Sequence, residues 1–166
     1  IGDAVLPIGK TIVSAMKNAA TELGEKASFK GYPPQSGYSF LKQAIINDYK
    51  KRNVVISENE IFVSDGAKSD LSGLMDVFRQ HRSYIIAPFY PVYRDAETIK
   101  GNNITYIEGN IGNNFLPLPD KKYKSGVYYI TSPNNPTGAT YDKNSLASWV
   151  EHAPVSYTHL RAHETC

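Results

Sequence analysis

The stretch Gly126-Val127-Tyr128-Tyr129-Ile130-Thr131-Ser132-Pro133-Asn134-Asn135-Pro136-Thr137-Gly138 passes from an unbroken apolar run straight into a turn. After Gly126, residues 127–131 are β-branched and aromatic without polar alternation, which is how a strand buried on both faces reads. In 132–138 two prolines flank two asparagines. Prolines there hold the backbone extended or cis, so that one amide side chain can be aimed rigidly into a crevice. A neutral N–H donor held in that way can stabilise a phenolate oxygen without fully neutralising it.

The segments on either side repeat the same alternation. Tyr84-Ile85-Ile86-Ala87 reads as a second buried strand, followed by the aromatic loop PFYPVY (88–93) and a helical segment to Lys100 that Gly101 ends. A further strand is expected at Ile104, Tyr106 and Ile107, and a helix after the 132–138 turn up to about Glu151. Upstream, Ile61-Phe62-Val63 reads as a short strand ending at SDGAKSD (64–70), after which Leu71, Leu74, Val77 and Phe78 return to helical spacing. At the front, Ile8, Ile12, Ala15, Met16, Ala19 and Leu23 predict an amphipathic helix, with Pro7 in its first turn and Gly24 at its exit. The loop GYPPQSG (31–37) then leads to a second helix carried by Phe40, Leu41, Ala44, Ile45 and Tyr49. Short apolar strands separated by helices imply an α/β fold with a mainly parallel sheet covered on both faces. Ligands of such sheets bind at the carboxyl ends of strands, where SDGAK, FYPVY and SPNNPTG all fall.

The turn at 64–70 puts Gly66, Ala67 and Lys68 at a helix N-terminus, where unpaired N–H groups and the helix dipole favour a phosphate. Alone this is a weak signal, because glycine at a strand-to-helix turn more often only relieves backbone strain. Tyr90 offers a flat face that could stack on a planar heteroaromatic ring. The competing reading is that Tyr90 and Tyr93 simply pack under the following helix.

The 166 residues, 41% of them hydrophobic and 20% charged, have the composition of a globular protein able to bury a core. A net charge of +2 without a basic run gives no reason to expect nucleic acid or an anionic membrane as partner, which leaves small molecules and other copies of the chain. No run approaches the roughly 20 apolar residues that span a bilayer, and the N-terminus as it stands lacks the charged and apolar regions of a signal peptide, so a cytoplasmic location is expected. The chain opens at Ile1 without a methionine, which suggests that sequence is missing in front. At the other end VSYTHLRAHET (155–165) resembles a translated sequencing adaptor, and is expected to be foreign to the fold. Setting it aside removes His159, His163 and Cys166, so no metal site is expected; His81 and His152 are left as isolated surface or packing residues.

SPNNPTG closing a strand resembles the signature of class I/II aminotransferases of fold type I, which depend on pyridoxal 5'-phosphate. With Gly2-Asp3, GYxxxxGYSFL, FVSDGAKSD and SPNNPTGA in this order, residues 1–152 are similar to LL-diaminopimelate aminotransferases. The resemblance implies that Ala67 and Lys68 hold the cofactor phosphate, that Tyr90 stacks on the pyridine ring and that Asn135 bonds its phenolic oxygen. It implies that Tyr32 reaches the phosphate of a second subunit, so that the active site needs a homodimer. Gln35 stands where the family commonly has a glutamate near the substrate's distal amino group. The catalytic lysine, an aspartate and two arginines are expected beyond this chain; Lys68 and Lys143 are not candidates for the Schiff-base role. The organisation implied is an N-terminal segment with an interface loop (1–37), a partial cofactor-binding large domain (38–154) and a non-native tail (155–166). The implied reaction moves an amino group between glutamate and tetrahydrodipicolinate, with LL-diaminopimelate as product and lysine biosynthesis as its setting, the fragment itself being inactive. Other fold type I aminotransferases and carbon-sulfur lyases share SPNNPTG. A Rossmann-type nucleotide module is a distant alternative, since no GxGxxG follows the first strand.

Overall fold

The computed structural model describes residues 6–78, 81–156 and 159–163, with side chains as far as residue 153. Gly2-Asp3 and Cys166 of the sequence reading lie outside the described residues. The chain divides into two compact units, Ile1–Ser64 and Asp65–Cys166.

In the first unit the N-terminal helical period becomes α1, Lys10–Gly24, with Gly9 rather than Pro7 at its entry. None of its residues is buried, and Ile12, Met16 and Leu23 are exposed. Helix α2, Ser39–Lys51, follows the 31–37 loop. That loop is fastened at several points, the Tyr38 hydroxyl donating to Gly31 O at 2.7 Å. The Gly37 N–H donates to Pro34 O at 2.8 Å, the buried Lys42 donates its Nζ to Ser36 Oγ at 2.5 Å, and the Val63 N–H donates to Ser36 O at 3.1 Å. Gly37 sits at φ 100°, and a Cβ there would lie 2.6 Å from Val63 Cγ2, so the position admits no side chain.

The strand expected at Ile61-Phe62-Val63 does not form. Ile61 has extended dihedrals (φ −112°, ψ 125°), but among the described residues no strand pairs with the run. Apolar, β-branched composition favours extended backbone; a ladder also needs a neighbour, and a three-residue run cannot supply one to itself. The Val63 N–H is spent on the loop instead.

In the second unit β1 (Arg82–Ala87), β2 (Asn103–Glu108), β3 (Val127–Thr131) and β4 (His159–His163) form one parallel sheet in the order β2-β1-β3-β4. Helices α3 (Ala67–Val77), α4 (Val92–Ile99) and α5 (Lys143–Ser156) connect and cover it. The expected α/β class with a parallel sheet is what the chain builds. Successive strand residues point to opposite faces. Tyr84, Ile86, Tyr128 and Ile130 therefore pack with Ile107, Tyr141 and Trp149 on the α5 side. Ile85, Val127 and Tyr129 pack with Leu71, Met75 and Tyr93 of α3 and α4 on the other. Tyr84 and Tyr128 are register partners whose rings stack with centroids 4.4 Å apart. Gly126 permits this approach, since a Cβ there would lie 2.3 Å from Arg82 O and 2.9 Å from the Tyr84 ring.

Helix α5 runs through Pro154 to Ser156, past the expected end near Glu151. Residues 159–163, read in the sequence as part of a tail outside the fold, are aligned with β3 from Val127↔His159 to Thr131↔His163. A ladder is made by backbone groups, so the open edge of β3 accepts an extended segment whatever its side chains.

Candidate active site

Strand β3 is buried along its whole length and delivers Thr131 to the 132–138 turn. Ser132-Pro133 and Asn135-Pro136 are both cis. Between them the two asparagines face opposite ways. Asn134 is buried: its N–H donates to Ala139 O at 2.8 Å and its carbonyl accepts from the Gly138 N–H at 2.7 Å. Its side-chain amide donates to Thr137 Oγ1 at 2.9 Å and to Pro88 O at 3.0 Å. Asn135 is exposed, and its side chain has no hydrogen-bond partner among the described residues. The sequence reading expects one amide aimed into a crevice and gives no work to the other.

The Pro88 carbonyl belongs to the loop after β1, entered through the cis Ala87-Pro88 bond. Phe89 stacks on Tyr106 with centroids 5.3 Å apart. Tyr90 is half-buried, edge-on to Tyr93 at 6.0 Å and 82°. Tyr93 is buried, stacked on Tyr129 at 5.2 Å, with its hydroxyl 3.3 Å from Thr131 Oγ1. Packing under the helix thus describes Tyr93, while Tyr90 stands at the edge. Since β1 and β3 are adjacent and parallel, both loops leave the same end of the sheet, and Asn134 joins them.

Ala67 and Lys68 open α3, behind Gly66 at φ 147° with open space where a Cβ would stand. The Ser69 and Asp70 N–H groups donate to Gly66 O, which leaves those of Ala67 and Lys68 without a partner among the described residues. The end of α3 meets the start of β1, where the His81 ring sets Nδ1 against Phe78 O. Leu71 and Met75 of α3 pack with Ile85 of β1, so the helix leads back along the sheet. Its 11 residues cover about 16 Å, against about 20 Å for a six-residue strand. The N-terminus of α3 is thereby carried toward the carboxyl ends of the strands. Tyr32 and Gln35 belong to the first unit. Tyr32 is fully exposed, and Gln35 is exposed in the Pro34–Gly37 turn. Lys143, at the start of α5, is exposed.

On the α3/α4 side of the same sheet lies a polar cluster that the sequence reading misses. The carboxylate of Glu97 is buried and accepts from His81 Nε2 at 3.1 Å, from Asn102 Nδ2 at 2.6 Å and from the Tyr129 hydroxyl. Burial pushes its pKa up, but the bonds from Tyr129, Asn102 and His81 outweigh this and hold it below its ordinary value. His81 is therefore no isolated residue. His152 does pack, edge-on to Tyr128 and Trp149. The available signal was Glu97 itself, an acid on the otherwise apolar side of α4.

A parallel sheet with loops gathered and joined at its carboxyl end is the arrangement of α/β enzymes, which bind their ligands there. The chain belongs to the class I and II aminotransferases, whose family model matches residues 2–160. It is similar to LL-diaminopimelate aminotransferase of Bacteroides thetaiotaomicron, with 40% identity over 173 residues, covering 95% of this chain and 42% of that protein. The LL-diaminopimelate aminotransferase of Methanosphaera stadtmanae is 38% identical over 167 residues, with 92% and 40% covered. Among solved structures, the L,L-diaminopimelate aminotransferase of Chlamydomonas reinhardtii matches with a TM-score of 0.80 at 29% identity, covering 95% of this chain and 41% of that one. The Thermus thermophilus aspartate aminotransferase with maleate shares the fold, with a TM-score of 0.84 at 20% identity over 99% of this chain and 44% of that one. The chain thus spans roughly two fifths of the length of the curated relatives it matches.

Proposed function

We propose that this chain supplies the front part of a pyridoxal-phosphate-dependent aminotransferase that exchanges an amino group between glutamate and tetrahydrodipicolinate, with LL-diaminopimelate as the amino acid formed. The observation that carries this reading is the junction, through Asn134 and Pro88, of the loop that bears Asn135 with the loop that bears Tyr90. The residues present fit the cofactor. The unpaired amides of Ala67 and Lys68, at a helix N-terminus with open space over Gly66, suit a phosphate dianion. The ring of Tyr90 suits stacking on a pyridine. The free amide of Asn135 can donate to a phenolic oxygen, holding its negative charge without a full countercharge. When bound, pyridoxal phosphate would supply the electron sink for the substrate carbon that bears the transferred amino group.

Tyr32, fully exposed in its own unit, is assigned to the phosphate of a second copy, so the working enzyme is a homodimer. Gln35, two turn positions before Gly37, is assigned to the distal end of the substrate. Among the described residues no helix is long and apolar enough to cross a membrane, and a cytoplasmic location is part of the same proposal. The test is glutamate formation from LL-diaminopimelate and 2-oxoglutarate by a full-length enzyme carrying this chain, with aspartate as the rival donor. LL-diaminopimelate should be preferred, and Asn135→Ala should lower kcat/KM about tenfold or more. Preference for aspartate, or an Asn135→Ala enzyme with undiminished kcat/KM, would overturn the proposal.

A further inference from the structure

We infer that Asn134 is a positioning residue that fixes the distance between the Tyr90 ring and the Asn135 amide, and through it the hold on the cofactor. The inference rests on the cofactor reading above and deepens it. Asn134 turns its side-chain NH2 and both backbone polar groups inward, onto the protein itself. Both amide hydrogens are used, one toward Thr137 Oγ1 at 2.9 Å and the other toward Pro88 O at 3.0 Å. The orientation of the amide is fixed by chemistry, since a proline carbonyl can only accept. The backbone N–H and carbonyl close the turn on itself through Ala139 and Gly138.

The two side-chain bonds do different work. The bond to Thr137 stays within the 132–138 turn and shapes it locally. The bond to Pro88 crosses to the next strand's loop, two residues before Tyr90. Pro88 has no N–H, and its carbonyl faces the Asn134 amide, so the link depends on this one donor. Tyr93, whose hydroxyl is 3.3 Å from Thr131 Oγ1, ties the same two segments lower down, at the ends of the strands. Asn134 therefore governs the upper part of the two loops, where Tyr90 and Asn135 stand. A part-buried hydrogen bond is costly to leave half-made, so removing the donor lets the loops drift apart. Two ligand contacts made by different loops lose strength together when their spacing drifts, even though neither contact is altered chemically.

The experiment compares Asn134→Ser, Asn134→Ala and Asn135→Ala in the full-length enzyme. Serine keeps a hydroxyl for the turn but is too short to reach Pro88. The readouts are the Kd for pyridoxal 5'-phosphate, the induced circular dichroism of the bound cofactor, and amide exchange over residues 88–93 in the cofactor-free protein. Ile107→Val, a mild core change on β2, controls for general loss of stability. Asn134→Ser should weaken cofactor binding about tenfold, reduce the induced signal and speed exchange over 88–93, with a melting temperature close to that of Ile107→Val. If Asn134→Ser and Asn134→Ala bind cofactor as wild type does while Asn135→Ala binds it weakly, the positioning role is wrong and the cofactor site stands. If Asn135→Ala also leaves binding and induced signal unchanged, the cofactor reading itself fails. Weaker binding without faster exchange over 88–93 would also overturn the inference, because the effect would then not pass through the loop.

Discussion

Removing the carboxylate of Glu97 should cost the second unit much of its stability, and how much depends on what replaces it. Three donors converge on this group from α4's surroundings: His81 Nε2 at 3.1 Å, Asn102 Nδ2 at 2.6 Å and the Tyr129 hydroxyl. Glu97→Ala strands all three. Each buried donor without a partner costs about 1–3 kcal/mol, and because the three share one site and water can enter the space, the total is about 3–5 kcal/mol rather than the sum. Glu97→Gln keeps one oxygen, which can serve His81 and Tyr129, while the Asn102 amide turns over to offer its oxygen to the new NH2 group. That leaves only the loss of charge assistance, about 1–2 kcal/mol. Amide exchange in β1 and β3 of the full-length enzyme reports the opening of this sheet rather than of the whole protein. A Glu97→Ala change within 1 kcal/mol of wild type, or a Glu97→Gln change as damaging as alanine, would refute this reasoning. Acid adds a second readout. The native pKa of Glu97 lies below that of the unfolded chain, so its stabilisation is present above the ordinary carboxylate pKa and is lost as pH falls through the lowered native value. Glu97→Gln should flatten that acid limb.

Gly126→Ala should destabilise the sheet by about 2–4 kcal/mol, because its Cβ would meet Arg82 O at 2.3 Å; unchanged exchange in β1 would contradict this. Burial pushes the Tyr141 phenol from 10.0 up to about 12, with its hydroxyl donating to Pro117 O at 2.6 Å. Its contribution is therefore complete below the unfolded value and lost as pH rises toward about 12, and Tyr141→Phe should make alkaline unfolding shallower over that window. Gln35→Glu should raise the kcat/KM preference of the full-length enzyme for LL-diaminopimelate over 2-aminopimelate by about tenfold, since a carboxylate pairs with an ammonium where an amide only bonds to it. An unchanged ratio would remove Gln35 from the distal end of the substrate.

The parallel sheet was legible because its central strands carry their own evidence. Tyr84-Ile85-Ile86 and Val127-Tyr128-Tyr129-Ile130 are apolar without alternation, which is what covering both faces requires. The same argument failed at Ile61-Phe62-Val63, where composition specified an extended backbone and said nothing of a partner. It failed in the opposite sense at His159–His163, a polar segment that nonetheless lies in the ladder beside β3. In both places the deciding factor was the presence of an open strand edge. Side-chain composition reports on the faces of a sheet and is nearly silent about its edges.

The candidate site divides along a similar line. Residues proposed to act by lying free, Asn135 and the amides of Ala67 and Lys68, were named through the resemblance carried by SPNNPTG and SDGAK, to which turn chemistry and helix position added only a weak signal. Residues that act by holding others were not, because their partners are distant in sequence: Asn134 answers to Pro88, and Glu97 to His81, Asn102 and Tyr129. Yet the adjacency of Asn134 and Asn135 contains part of the answer. Of these two identical neighbours, one faces the solvent. The other must be paired inside, and a paired amide at the end of a buried strand is placed to fasten the neighbouring loop.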